Sequence, residues 1–354
     1  MLKQKLLLLT LSLVVLSCTT KTLVSSTEKH SPITLLQTKR LGFVDARPRF
    51  REIFCALLNN HGKSLPDYKT CDDSLRTIGL EPQKTTKAVD IKPSNNEYII
   101  GLVPGIAWQC VRNWLNNDNS GPEHVSKQGF DVRLFEVDGL SSSQNNAQQI
   151  NHYINKLANQ DSKRPIILIG YSKGAVDILY AISKYPELQK RVVAVVSIAG
   201  AIGGSPLADN ASQSHLNTLS YIPVSGCDLG DEKALQSLHT ETRKSWLKDN
   251  QLPAHIKYYS IIAYPEPEQI SIGLKPSYKK LAYIDSRNDG QLIFYDQLIP
   301  NSSLLAFVNA DHWALSIPVA RQFYLNRITF ANKNEYPREI LLEAILRYVE
   351  EDLK

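Results

Sequence analysis

From residue 97 onward the chain alternates between two hydrophobic periods. Continuous apolar runs, each of strand length, occupy 97–105 (EYIIGLVPG), 164–170 (RPIILIG), 192–200 (VVAVVSIAG), 255–264 (HIKYYSIIAY) and 303–310 (SLLAFVNA), with a more mixed run at 129–139 (GFDVRLFEVDG). Runs of that kind suit strands buried on both faces. Between them lie helical patterns. Residues 141–160 put Ile150, Tyr153, Ile154 and Leu157 on one face, 175–191 form a second helix, and 340–353 close the chain with a third. Strands alternating with helices predict an α/β fold, a mostly parallel sheet with helices on both faces.

Upstream of residue 97 the pattern is different. Residues 47–60 place Phe50, Ile53, Phe54, Leu57 and Leu58 at helical spacing, and Asp72 to Ile78 are expected to form a second short helix before Gly79. The stretch 81–96 is polar, contains Pro82 and Pro93, and reads as a connector. Residues 39–96 are therefore expected to be a helical N-terminal extension packed on the main domain, which runs from 97 to 354.

The first 17 residues are a separate device. Lys3 and Lys5 form a basic head, and Leu6 to Leu16 is an apolar run interrupted only by Thr10 and Ser12. The run has the length of a signal-peptide core and falls short of the roughly 20 residues that a membrane span needs. It ends at Val15-Leu16-Ser17-Cys18, which resembles a bacterial lipobox, so Cys18 is expected to carry lipid and become the mature N-terminus. An ordinary cleaved signal followed by an incidental Cys18 is the alternative. Residues 18–38, rich in Ser, Thr and Lys, suit a flexible tether to an extracytoplasmic domain. Thr19 after the cysteine resembles lipoproteins of the outer membrane in a Gram-negative cell.

Composition narrows the function classes. The 354 residues are 43% hydrophobic and 21% charged, enough for one large core and far from a disordered chain. The net charge of +5 is scattered rather than blocked, so no nucleic-acid partner is expected. Five cysteines with no CxxC pair exclude a disulfide-built scaffold and a zinc ribbon. Cys18 aside, Cys55, Cys71, Cys110 and Cys227 can pair in three ways or remain small buried apolar residues. Cys55–Cys71 closes the shortest loop and is the preferred bridge. No cofactor motif or metal cluster is visible, so no cofactor and no metal are expected. The oligomeric state has no sequence signal.

The chemistry is concentrated where the third apolar run passes into Gly170-Tyr171-Ser172-Lys173-Gly174 and then into a helical pattern. This is GxSxG in the strand–turn–helix setting that the motif requires. The sharp turn strains the serine backbone, and the flanking glycines let strand and helix approach. A Gly-rich turn that binds phosphate is the alternative, but no Walker lysine or GxGxxG accompanies it. A serine hydroxyl needs a base, and the base needs an orienting acid, in the chain order Ser, Asp or Glu, His. Of the eight histidines, His30, His61, His124, His152 and His255 lie upstream of any sensible acid, while His215 and His239 lie in the expected lid segment. His312, in AFVNADHW after the last strand run, stands where the base belongs. Asp285, Asp289, Asp296 and Asp311 compete as the acid. Asp289, in the Asn288-Asp289-Gly290 turn signal, is preferred and Asp285 is its main rival; Asp311 adjoins His312 and points away from its ring. The backbone N–H groups of Lys173 and Ile106 are the expected oxyanion donors.

Taken together, LVPG, GYSKG, VVSIAGAIGGSPLAD, NDG and DHW make residues 97–318 resemble an α/β-hydrolase-fold serine hydrolase of the lipase/esterase branch. The Gly204-Ser205-Pro206-Leu207-Ala208-Asp209 stretch is similar to the one that leads into a cap in such enzymes. The resemblance implies a cap at about 205–254 and a substrate that is a carboxylic ester or lipid. That segment carries Leu207, Leu216, Leu219, Tyr221, Ile222, Leu235, Leu238 and Trp246, as a mobile apolar lid or a rigid helical cover. Two features depart from the pattern: Pro104-Gly105 replaces the common His-Gly, and the N-terminal extension has no counterpart in the minimal fold. An acyltransferase with the same triad, or a non-enzymatic envelope binding protein on the same fold, remains open on these residues.

Overall fold

The computed structural model describes residues 43–112, 120–160, 164–212, 228–322 and 328–354. The signal segment, Cys18, the tether, His215, Cys227 and the cap residues Leu216, Leu219, Tyr221 and Ile222 lie outside the described residues. In chain order the main elements are β1 (Val44–Asp45), α1 (Arg47–Asn60), α2 (Cys71–Ser74), β2 (Leu75–Arg76), β3 (Ile99–Val103), α3 (Trp108–Arg112), α4 (Ser120–Lys127), β4 (Asp131–Leu134), α5 (Ser143–Gln160) and β5 (Ile166–Tyr171). There follow α6 (Lys173–Lys184), β6 (Val192–Ile198), α7 (Pro206–Asp209), α8 (Thr240–Asp249), β7 (Lys257–Ala263), α9 (Lys275–Ala282), β8 (Ser303–Val308), α10 (Val319–Gln322) and α11 (Arg338–Leu353). Among the described residues no helix is long and apolar enough to cross a membrane.

The sheet runs β1-β8-β7-β6-β5-β3-β4, with every neighbouring pair on that path parallel and β2 antiparallel on β8. The chain leaves β3 for β4 on one side and returns to β5 on the other. That reversal opens a crevice at the carboxyl ends of β3 and β5, the place where ligands bind in open α/β sheets. The register sets Val103 opposite Gly170 there, so Pro104-Gly105 and Ser172 emerge side by side.

Strand β5 is buried along its whole length, and its side chains alternate between two cores. Ile166 and Leu168 join Ile150 and Ile154 of α5 and Ile178 and Ile182 of α6. Ile167 and Ile169 join Phe50, Phe54 and Leu57 of α1 and Ile340, Ile345 and Val349 of α11. All five apolar positions anticipated in 47–60 are buried, which makes α1 half of the cover on one face of the sheet.

The N-terminal segment carries the expected helix α1 and adds two short strands that the sequence reading did not include. It supplies β1 and β2 to the sheet margin, both paired with β8. The helix anticipated over Asp72–Ile78 stops after Ser74, because Leu75 and Arg76 pair with Val308 and Phe307. An exposed strand offers unpaired N–H and C=O groups, and capturing them outweighs the short helical preference. No regular element lies between Arg76 and Ile99, as the polar connector suggests. Its backbone is satisfied by arginines: Arg49 donates to the carbonyls of Lys87 and Ala88, and Arg347 to those of Asp90, Ile91 and Lys92. Cys55 of α1 is bonded to Cys71 at the start of α2, with Cα atoms 5.3 Å apart. Cys110 is disulfide-bonded too, to a partner outside the described residues.

Within the expected cap segment, the described portion packs on the main domain through α8. Trp246 of α8 stacks on Tyr180 of α6 at 4.7 Å between ring centroids. The buried Arg243 guanidinium lies 4.6 Å from the Trp246 ring and donates to the Ile202 carbonyl at 3.0 Å. Burial lowers the Arg243 pKa to about 10.

Candidate active site

Ser172 is the hinge between β5 and α6, with φ 54° and ψ −122°. An L-residue pays for that conformation, and the surroundings enforce it. Its N–H donates to the Ile198 carbonyl at 3.1 Å, while its own carbonyl accepts from Ala175 and Ala201 at 3.2 and 3.1 Å. Glycine is obligatory on either side. A Cβ at Gly170 would sit 2.4 Å from the backbone of Ala175, and one at Gly174 would sit 2.3 Å from the Val103 carbonyl oxygen. The serine side chain is therefore held at the crevice and not in the sheet.

His312 lies just past β8 and opens a short turn, Trp313–Leu315. Its Nε2 is 2.9 Å from Ser172 Oγ, and its Nδ1 is 2.7 Å from Asp289 Oδ2. A carboxylate can only accept, so Nδ1 carries the proton and Nε2 presents a lone pair to the serine hydroxyl. The ring is fixed from three further directions. The His312 N–H donates to the Asp289 carbonyl at 3.0 Å. The Tyr171 hydroxyl donates to the His312 carbonyl at 2.5 Å, and the two rings pack at 5.1 Å between centroids. Burial, aided by the charges of Asp289 and Asp311, pushes the Tyr171 hydroxyl far up, so it stays a neutral donor.

Asp289 is fully buried, and its second oxygen accepts from the N–H groups of Gln291 and Leu292 at 2.8 and 2.7 Å. Gly290 at φ 90° makes that turn, and Asn288 Oδ1 accepts from its N–H. Asp285 does not reach the histidine: it forms a two-point ion pair with Arg287 at 2.9 and 2.6 Å. Asp311 accepts from the N–H groups of Ser271 and Ala314, bracing the turn that carries His312; burial pushes its carboxyl up. Asp296 sits under the cap, where burial raises it to about 6.

Ile106 and Lys173 bracket the serine. Neither backbone N–H has an acceptor among the described residues. The Lys173 side chain turns away into a buried pair with Asp177 at 2.8 Å, and Asn146 donates to the same carboxylate at 2.8 Å. The i,i+4 spacing of Lys173 and Asp177 is the sequence signal for this pair, which the motif reading above does not use. Tyr171 carries no such signal, because no local pattern distinguishes it from a strand residue.

A pocket of about 270 Å³ opens on the reacting groups, lined by Ile106, Ser172, Leu207, Leu238, His312 and Ile317. Leu207, Leu235 and Leu238 bring the cap's apolar side to it. A larger cavity of about 770 Å³ lies between the sheet, α4 and α11, with Tyr171 as the shared wall. The smaller one is the candidate substrate pocket, because Ser172 and His312 line it. Among the other histidines, His239 precedes α8 and His255 contacts the Gln189 carbonyl, while His61 and His124 converge elsewhere.

No family model matches the chain, and no curated protein does. Solved structures do. A lipase from Bacillus licheniformis, BlEst2 in its mature form, superposes with a TM-score of 0.54 at 18% identity over 74% of this chain and 95% of its own, which speaks for the fold alone. A metagenomic carboxyl esterase, MGS0156, superposes with a TM-score of 0.80 at 36% identity, over 91% of this chain and 99% of its own. The fold is that of an α/β hydrolase, and the match to MGS0156 places the chain among ester hydrolases of that fold. More narrowly, the chain belongs to the family of the carboxyl esterase MGS0156.

Proposed function

We propose that the protein cleaves carboxylic esters through an acyl-enzyme on Ser172. The observation that carries this reading is the unbroken relay Asp289–His312–Ser172, with separations of 2.7 and 2.9 Å, at a strained turn facing an apolar pocket. His312 takes the serine proton as Oγ attacks the acyl carbonyl, then returns it to the departing alcohol. Asp289 holds the imidazole in the tautomer that leaves Nε2 free and stabilises the imidazolium that forms. The N–H groups of Ile106 and Lys173 bind the tetrahedral oxyanion. Water, activated by His312, releases the acid. The apolar lining from Leu207, Leu235 and Leu238 supports an acyl or lipid-like substrate.

The same reading includes the place of action. The run ending at Ser17-Cys18 supports lipid attachment at Cys18 and tethering to the outer face of a bacterial membrane, the outer one in a Gram-negative cell. A fluorophosphonate probe tests the chemistry. It is expected to label the wild-type chain and not Ser172→Ala, whose ester turnover should fall by several orders of magnitude with circular dichroism unchanged. Undiminished turnover in folded Ser172→Ala would overturn the mechanism.

A further inference from the structure

Away from the catalytic corner, three elements bring together the donor set of a transition-metal site. His61 directly follows α1, His124 stands on α4, and Glu343 stands on α11. Glu343 is fully buried, and its Oε2 receives both imidazoles, His61 Nε2 at 2.8 Å and His124 Nε2 at 2.7 Å. The three ligand atoms lie within 4.8 Å of one another. The other carboxylate oxygen is held by Arg347 Nε at 2.7 Å, and three of that guanidinium's other N–H groups bond backbone carbonyls. The carboxylate plane is thereby fixed with Oε2 presented to the histidines, as outer partners fix the ligands of metal sites.

His61 Nδ1 lies 3.0 Å from Asn60 Oδ1. In the tautomer that donates Nδ1–H there, the Nε2 lone pair of His61 faces Glu343 Oε2. Two lone pairs at that distance repel unless a proton or a metal ion lies between them, and the same three atoms can receive either. His124 aims a second Nε2 at the same oxygen, so one ion placed among the three atoms satisfies all of them. We propose that His61, His124 and Glu343 bind a single divalent transition-metal ion of the zinc type. Imidazole and carboxylate donors suit zinc rather than the oxygen-only preferences of calcium and magnesium. Tetrahedral bonds of about 2.0–2.1 Å put ligand atoms about 3.3 Å apart, so the present 2.7 and 2.8 Å separations open by about half an ångström. His61 is partly exposed, which provides the entry path and the water for the fourth position. The ion would pin the end of α1 to α4 and α11, on elements outside the catalytic pocket, so its role is to hold the fold.

Full-length protein without an affinity tag, stripped with chelator and dialysed against zinc sulfate, tests this by elemental analysis and thermal unfolding. Wild type and the catalytic variant His312→Ala are expected to retain one zinc per chain and to melt a few degrees higher with zinc than without. His61→Ala is expected to lose both the ion and the shift. Equal zinc content in wild type and His61→Ala, or no zinc in wild type, would overturn the proposal. Cobalt substitution of the wild type keeps the question answerable if the variant fails to fold: tetrahedral d–d bands are expected, and their absence overturns the site.

Discussion

The catalytic corner and the seam between α1 and α11 both bury carboxylates, and they neutralise them by different means. Asp289 is surrounded by dipoles: two backbone N–H groups, the His312 ring and, at 3.5 Å, the Gln297 amide. No arginine or lysine is bonded to it among the described residues. At the seam the acids meet arginines instead. Glu343 pairs with Arg347, Glu351 with Arg49, Glu339 with Arg321, and Asp67 with both Arg321 and Arg338. Under the proposed mechanism the difference follows from the task. A carboxylate that must stabilise a transient imidazolium works best when no permanent cation already satisfies it, and preorganised dipoles keep it ionised without competing for that role. A carboxylate that only has to hold helices together gains most from a two-point guanidinium partner.

The sharpest way to break this comparison is to remove the charge at each end. Asp289→Asn preserves the shape of the turn but no longer fixes the His312 tautomer, so turnover on a short-chain ester should fall on the order of 10⁴-fold. Asp285→Asn, which disturbs only the pair with Arg287, should be mild. Steady-state kinetics on the two variants decides it, and a swap of their phenotypes would move the acid assignment to Asp285.

At the seam the effect should appear as stability rather than rate. Asp67 has φ 56°, a conformation that asparagine tolerates, so Asp67→Asn removes charge without backbone strain. It leaves Arg338, buried and already shifted down by desolvation, without its nearest carboxylate. The expected cost is about 2 kcal/mol, read as a lower urea midpoint, with turnover per folded molecule unchanged. A loss of turnover without a loss of stability would mean that the two regions are not separate.

Asp296 gives the smallest and most pH-specific contrast, because it is half-buried beside Gln297, which contacts Asp289, and has no arginine partner among the described residues. Its carboxyl titrates at about 6 in the folded protein, against about 3.9 in an unfolded chain. Between those values the folded state binds more protons than the unfolded one, so stability falls as pH rises through roughly 4 to 6. Above that window the full cost of the buried charge is present. Asp296→Asn should therefore melt like wild type near pH 4 and be more stable at pH 8, by about 1–2 kcal/mol. Equal melting curves at both pH values would show that the group is not held above its ordinary range.

Much of this molecule was legible in local patterns. The apolar runs at 99–103, 166–171 and 192–198 fall on buried strands, because continuous hydrophobicity over that length has few other homes in an α/β chain. The helical spacing of Phe50, Ile53, Phe54, Leu57 and Leu58 marks the buried face of α1. The elbow at Ser172 is visible because its glycines are demanded by backbone clearance, a constraint carried by neighbouring residues.

What the sequence by itself determined about this protein is the set of features that burial, handedness and steric clearance write into neighbouring residues: the strand–helix alternation, the strained serine turn and the candidates for its partners. Tertiary structure alone decided which candidates meet. Asp285 and Asp289 stand four residues apart in the same loop, and only the path of that loop sends one to Arg287 and the other to His312. The pairing of β1 and β2 with β8, and the meeting of His61 and His124 on Glu343, join residues hundreds of positions apart. Such contacts depend on hydrogen-bond groups left over when the sheet closes and on side chains that distant helices bring into register. No local period records them, because the energy that selects them exists only once the sheet and its covering helices have assembled.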